Sequence, residues 1–156
     1  MIRFATEKDI KQVNVIRKEV NDLHVKGEPK IFKPGFCKEM QDYVKNFIGS
    51  QDKMLIVYEN EDNLICAYAM IEDVTKEETP YRYKLHFLEI QEIGTLNNHQ
   101  GKGYASALLE KAKEIAKKRN IENIELNMWS FNKKALNFYN KKGFETYRKY
   151  LRISDF

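Results

Sequence analysis

Six consecutive residues, Gln100-Gly101-Lys102-Gly103-Tyr104-Ala105, carry the clearest chemical signal in the chain. They join a segment that alternates like a strand to one patterned like a helix. Two glycines allow positive φ and let a ligand come close to the backbone. The N–H groups of the first helical turn have no intrahelical acceptor. Together with the macrodipole they form an anion site of the kind that holds a pyrophosphate. Lys102 adds a cation beside it. A glycine pair ahead of a helix also serves as a plain turn, and that reading stays open here. The segment is not a Walker A loop, because GxxxxGK(S/T) is absent. Nor is it a dinucleotide fingerprint, because GxGxxG is incomplete and no βαβαβ pattern surrounds it.

The elements that must position this turn read as follows. Residues 2–4 are a short strand, and Thr6 with Asp9 forms a rough capping box ahead of a helix over 7–23. Ile10, Val13, Ile16, Val20 and Leu23 make its apolar stripe. Prolines and glycines mark a loop from 26 to 35. A second amphipathic helix follows, carrying Met40, Tyr43, Val44 and Phe47. Strands at 54–58 and 64–71 flank a polar turn at 59–63 and read as a hairpin. After a charged loop at 75–80 comes a long strand over 83–96, with Gly94 marking a bulge or a close backbone approach. The helix over 103–118 has the cleanest stripe: Ala105, Leu108, Leu109, Ala112, Ile115 and Ala116. A strand at 124–129, a helix at 132–142 stopped by Gly143, and a strand at 144–153 complete the order β-α-α-β-β-β-α-β-α-β.

Composition sets the frame. The chain of 156 residues fits a single domain, 1–156, long enough to bury a core. Hydrophobic residues are 42% of it, with nine Phe and nine Tyr, which excludes a disordered class. The N-terminus lacks the apolar stretch of about 7–15 residues that a secretory signal needs. The longest apolar run, 64–71, is too short to span a bilayer. A cytoplasmic protein with no membrane partner is therefore expected. Cys37 and Cys66 stand alone, without CxxC or paired histidines, so reduced buried thiols and no metal site are expected. A net charge of +4, spread along the chain, does not point to nucleic acid.

Three blocks in order resemble the GNAT superfamily of acyl-CoA-dependent N-acyltransferases. Gln100 to Ala105 matches Q/R-x-x-G-x-G/A. Glu89-Ile90-Gln91-Glu92-Ile93-Gly94-Thr95 resembles the family's fourth strand, and 132–144 resembles N-x-x-A-x-x-x-Y-x-x-x-G-F. Ala105 stands where glycine is commonest, and Asn97 where many members have proline. The resemblance is specific over about residues 85–150 and architectural before that. It implies a mixed α/β fold: a twisted, mostly antiparallel sheet of six to seven strands, flanked by about four helices and splayed between strands 4 and 5.

What the resemblance implies chemically is transfer of an acetyl group from acetyl-CoA, as co-substrate, to a primary amine by direct attack in a ternary complex. Pantetheine would lie along Ile93, Gly94 and Thr95. The pyrophosphate would meet Gln100, Gly101, Lys102, Gly103, Tyr104, Ala105 and Ser106, with Asn132 nearby. Tyr139 would protonate the leaving thiolate or hydrogen-bond its sulfur; a core tyrosine is the alternative reading. Glu89 is the expected base, with Glu92 or an ordered water in its place as alternatives. Strand alternation puts Glu89 and Gln91 on one face and Glu92 on the other. His24, where the first helix meets its loop, is a possible acceptor contact, whereas His86 and His99 read as strand and loop side chains. The acceptor, a small molecule or a protein amine, is not named by the sequence, and a homodimer is left open. A domain that binds acetyl-CoA without turnover is the competing class.

Overall fold

In the computed structural model, which describes residues 1–156, one five-stranded sheet organises the chain. The strands are β1 (Ile2–Phe4), β2 (Lys53–Glu59), β3 (Ile65–Lys76), β4 (Leu85–Thr95) and β5 (Ile124–Leu126), and they lie in that order. The first four are antiparallel, and β4 and β5 are parallel. Four α-helices cover the faces: α1 (Ile10–Gly27), α2 (Lys38–Tyr43), α3 (Tyr104–Lys118) and α4 (Lys133–Lys141). Short 3-10 turns precede α1, follow α2 and precede the α3 turn.

The alternation of β2 and β3 feeds two cores. Ile56, Ala67, Ala69 and Ile71 meet Leu108, Ala112 and Ile115 of α3. On the other face Leu55, Val57, Tyr68 and Met70 meet Val13 and Ile16 of α1 and Phe47. With both faces covered, these strands read as continuous apolar runs rather than as alternating ones. The Thr6–Asp9 start is built as expected: Asp9 Oδ2 accepts the Thr6 N–H at 2.8 Å, and Arg3 holds the same carboxylate.

The parallel pair determines where a ligand can enter. It is bonded only over Leu88–Ile90 against Ile124–Leu126. Beyond Ile90, β4 runs on to Thr95 with no partner on that side, so the sheet opens between β4 and β5. A bulge sharpens this. Met70 pairs with Glu92 and Ile71 with Ile90, leaving Gln91 as the extra residue of β4.

Three expectations are corrected. The sheet has five strands, not six to seven, because 144–153 forms no strand. Its residues alternate as a strand would, yet no edge of this chain takes them up. Tyr147, Tyr150, Leu151 and Ile153 are 76–92% exposed. Secondly, the bulge shifts the alternation, so Glu89 and Glu92 lie on the same face, the α1 face. Glu89 is opposite Glu72, and Glu92 contacts Tyr68. Thirdly, Cys66 is buried but Cys37 is exposed ahead of α2. No helix is long and apolar enough to cross a membrane.

Candidate active site

At the splay lies a cleft of about 940 Å³, bounded by α1, β4, the α3 turn, the chain after β5, and α4. That volume suits a small-molecule site. One end is the N-terminus of α3. Gly101 and Gly103 have φ of +78° and +82°, the left-handed region that favours glycine. This geometry turns the chain so that Gly103 caps the helix with no side-chain acceptor over its first turn. The first intrahelical bond there runs from Ala107 N to Gly103 O, so the N–H groups of Tyr104, Ala105 and Ser106 remain free to bind an anion. Nothing lies within 4 Å of where a Cβ would stand on either glycine. Gln100 is fixed from across the cleft, its Oε1 accepting from Lys134 Nζ of α4 at 2.5 Å. Lys102 lies outside the cleft lining.

The middle of the cleft is walled by Ile93, Gly94 and Thr95 on one side and by Asn127, Met128 and Trp129 on the other. Gly94 has a packing reason to be glycine. A Cβ there would come within 2.8 Å of the Tyr68 ring and 2.9 Å of Val20 on α1. Asn132 caps α4 by accepting the Ala135 N–H at 3.1 Å, and it also lines the cleft.

Tyr139, on the buried side of α4, is only 8% exposed and packs edge-on against Phe138 and Phe144. Burial pushes its hydroxyl up to about 12. No protein group pairs with that hydroxyl, and no unpaired buried side-chain N or O is sealed from solvent, so the group opens onto the cleft. It is therefore a neutral-pH hydrogen-bond donor aimed at the cleft.

The carboxylates are handled differently. Both oxygens of Glu92 are engaged: Oε2 accepts from Arg17 Nε at 2.8 Å and from the Tyr68 hydroxyl at 3.0 Å, and Oε1 accepts from Arg17 Nη2 at 3.1 Å. Arg17 also donates to Asn14 Oδ1 and to the Met40 carbonyl, so it ties α1, the segment carrying α2, and β4 together. Glu89 stands just behind the lining. Its oxygens accept from Gln91 Nε2 at 2.7 Å and Asn127 Nδ2 at 3.4 Å, and both of those residues face the cleft. Desolvation, then repulsion from Glu72, raises its carboxyl above the ordinary glutamate value.

At the far end of the cleft the sequence pointed only to His24, as a possible acceptor contact, and not to the aromatic rings around it. His24, Phe32, Trp129 and Phe131 form a chain of ring contacts, with centroids 5.0–5.9 Å apart, joining the end of α1 to the loop after β5. Gly27 makes this possible, because a Cβ there would fall 2.3 Å from the Phe131 ring. His24 Nδ1 donates to the Val20 carbonyl at 2.8 Å, a bond only an N–H can make. With Nδ1 engaged, Nε2 is the ring nitrogen without a protein partner, and His24 lines the cleft. The aromatic composition of the 129–132 loop was the available signal. His99 lines the cleft at the α3 turn with its Nδ1 2.6 Å from Asn98 Oδ1, and His86 bonds Asp73.

A sequence model described as the acetyltransferase (GNAT) family matches residues 18–144. Among solved structures, a Phe-to-Arg mutant of the BH1408 protein from Bacillus halodurans is 22% identical, with a TM-score of 0.95 over 100% of this chain and 99% of that one. An aminoglycoside N-acetyltransferase in complex with a CoA–monomethyl-acetylneamine bisubstrate analogue is 10% identical, with a TM-score of 0.77 over 99% and 97%. An aminoglycoside antibiotic 6'-N-acetyltransferase from Acinetobacter haemolyticus is 15% identical, with a TM-score of 0.72 over 99% and 97%. At these identities the likeness is one of fold.

Proposed function

This chain belongs to the acetyltransferase (GNAT) family, and from that premise we propose that it transfers an acetyl group from acetyl-CoA to a primary amine by direct attack in a ternary complex. The observation that carries the reading is the cleft itself. Around one opening stand three free N–H groups at a helix start, an unpaired tyrosine hydroxyl and, just behind the lining and bonded to Gln91 and Asn127, a carboxylate raised by desolvation. These are the anion site, the donor and the base that acyl transfer to an amine requires.

The residues fit acetyl-CoA in order along the cleft. Tyr104, Ala105 and Ser106 would hold its pyrophosphate through backbone N–H groups, with Gln100, Gly101 and Gly103 shaping the turn. Lys102 would add charge from outside the lining. Ile93, Gly94 and Thr95, a strand edge without a partner on that side, would accept its pantetheine as a neighbouring strand. When bound, acetyl-CoA supplies the activated acetyl group and a thiolate leaving group.

Tyr139 donates to the departing sulfur. A hydroxyl near 12 delivers its proton uphill to a thiolate near 8.5, by about 5 kcal/mol, so its contribution is a hydrogen bond in the transition state. Glu89 accepts the amine proton through a water held by Gln91 and Asn127. Glu92, in this reading, fixes β4 against Arg17 and leaves proton transfer to Glu89. The acceptor enters at the aromatic end, beside His24 and Trp129. The test is a panel of amines with acetyl-CoA, followed by thiol release. The panel includes the aminoglycosides for which two of the similar structures are named. Turnover with at least one amine is expected. Tight acetyl-CoA binding with no amine-dependent release across the panel would favour a sensor.

A further inference from the structure

The aromatic end of the cleft has walls that are apolar, braced and open. Trp129 and Leu23 line it while 39% and 46% exposed, and Met128 joins them in the lining. Large apolar side chains left open in a concave site mark where an apolar ligand group goes. The two rings of the lining, His24 and Trp129, are held from behind by rings that are not themselves in it. Phe32 packs on both, with centroids 5.0 Å away in each case, and Phe131 meets His24 edge-on at 5.9 Å. Gly27 leaves the space that Phe131 fills. Rings braced in this way lose little further freedom when a ligand packs on them.

The charges of the cleft point the same way. Its lining has three carboxylates, Glu19, Asp22 and Glu92. Each already answers a donor of this chain. Glu19 accepts the Asn97 N–H at 2.8 Å, Asp22 accepts from Lys18 Nζ at 2.9 Å, and Glu92 is held by Arg17. Lys26 and Lys134 share the lining with them. A second ammonium on the acceptor would give up water here and find no carboxylate waiting. The reacting amine itself has Glu89, behind Gln91 and Asn127. Trp129 follows Asn127 by two residues, so their Cα atoms are at most about 7 Å apart. The path from the braced rings to the base is therefore short.

Resting on the acetyl-transfer reading above, we propose that the acceptor is a primary monoamine carrying an aromatic ring on a short aliphatic chain. Its ring packs on Trp129 and His24, bordered by Leu23 and Met128. Its linker runs toward Asn127, which brings the amine to Glu89. There the C–N bond forms as the C–S bond breaks, the amine proton passes to Glu89, and CoA leaves as its thiolate. Polyamines and aminoglycosides carry several ammonium groups and no aromatic ring, so the same walls disfavour them.

Comparison of acceptors tests this. Phenethylamine, butylamine, spermidine and neamine are each supplied with acetyl-CoA and followed by thiol release. Phenethylamine should exceed the others in kcat/KM by about tenfold or more, the worth of burying one ring. Trp129→Ala should bring phenethylamine down to the level of butylamine with the KM for acetyl-CoA unmoved, and Trp129→Phe should restore part of the preference. Trp129 is the only tryptophan of the chain, so binding is also read without turnover. With CoA present, phenethylamine should change its fluorescence saturably, and spermidine at equal concentration should not. Spermidine, neamine or butylamine used as well as phenethylamine would overturn the proposal and leave acetyl transfer standing. So would an unmoved Trp129 spectrum, or a phenethylamine preference that survives in folded Trp129→Ala. If no amine is acetylated, the transfer reading itself fails.

Discussion

Glu89 stands directly across β3 and β4 from Glu72, and Gln91 Nε2 donates to both carboxylates, at 2.7 and 3.0 Å. Desolvation, and then the Glu72 charge beside it, make ionisation of Glu89 harder. If Glu89 takes the amine proton, it must be ionised to act, and its raised carboxyl limits activity on the acid side. Glu72→Gln removes the repelling charge, lowers the Glu89 pKa, and should move the acidic limb of kcat/KM to lower pH. Glu89→Gln should cost about 10²-fold near neutrality, with partial recovery at high pH as free amine accumulates. The pH profiles of the three proteins check this. Coincident profiles would remove Glu89 from the base role.

Tyr139→Phe keeps the ring packing against Phe138 and Phe144 and deletes only the hydroxyl. Since that hydroxyl has no protein partner, stability should hold. We expect kcat to fall by about 10- to 100-fold, with little change in KM for acetyl-CoA. Steady-state kinetics decide it, and an unchanged single-turnover rate would assign Tyr139 to the core alone.

Gly103→Val tests the anion site. The position has φ of +82°, which costs a β-branched residue roughly 1–2 kcal/mol. No protein atom lies within 4 Å of the new Cβ, so the side chain projects over the helix start instead of into the core. The fold should survive and acetyl-CoA affinity should drop more than about tenfold. Calorimetric titration of a folded variant with wild-type affinity would place the pyrophosphate elsewhere.

Arg17→Ala would leave the Glu92 carboxylate without its guanidinium and the Met40 carbonyl without its donor. We expect a loss of about 3 kcal/mol in urea unfolding. Arg17→Lys should restore only part of it, since lysine cannot make the two-pronged bond. A loss under about 1 kcal/mol would mean that the pair does not hold β4 in place.

The legible parts of the molecule were local. Gly103, the stripe of α3 and the Thr6–Asp9 capping box all follow from residues close to each other in the chain. What was hidden depends on distant chain. Arg17 finds Glu92 75 positions away, and nothing near Arg17 announces a carboxylate partner. The bulge at Gln91 exists because β3 pairs out of step with β4, so the strict alternation that separated Glu89 from Glu92 failed there. Gly94 looked like room for a ligand, yet its missing Cβ is filled by Tyr68 and Val20. Residues 144–153 were patterned for pairing, and patterning cannot say whether the partner edge lies in the same chain.

The central claim is direct acetyl transfer in this cleft, and single-turnover mixing tests it most directly. Enzyme is preloaded with an equimolar amount of acetyl-CoA and mixed with the amine that the panel identifies. Free thiol and N-acetylated product are then followed together by rapid quench and mass spectrometry. The account predicts that both appear at one rate and in equal amounts. That rate should depend on amine concentration, fall in Tyr139→Phe, and leave no acetyl group on the protein. Thiol release at the same rate without amine, or an acetylated enzyme formed before product, would contradict it.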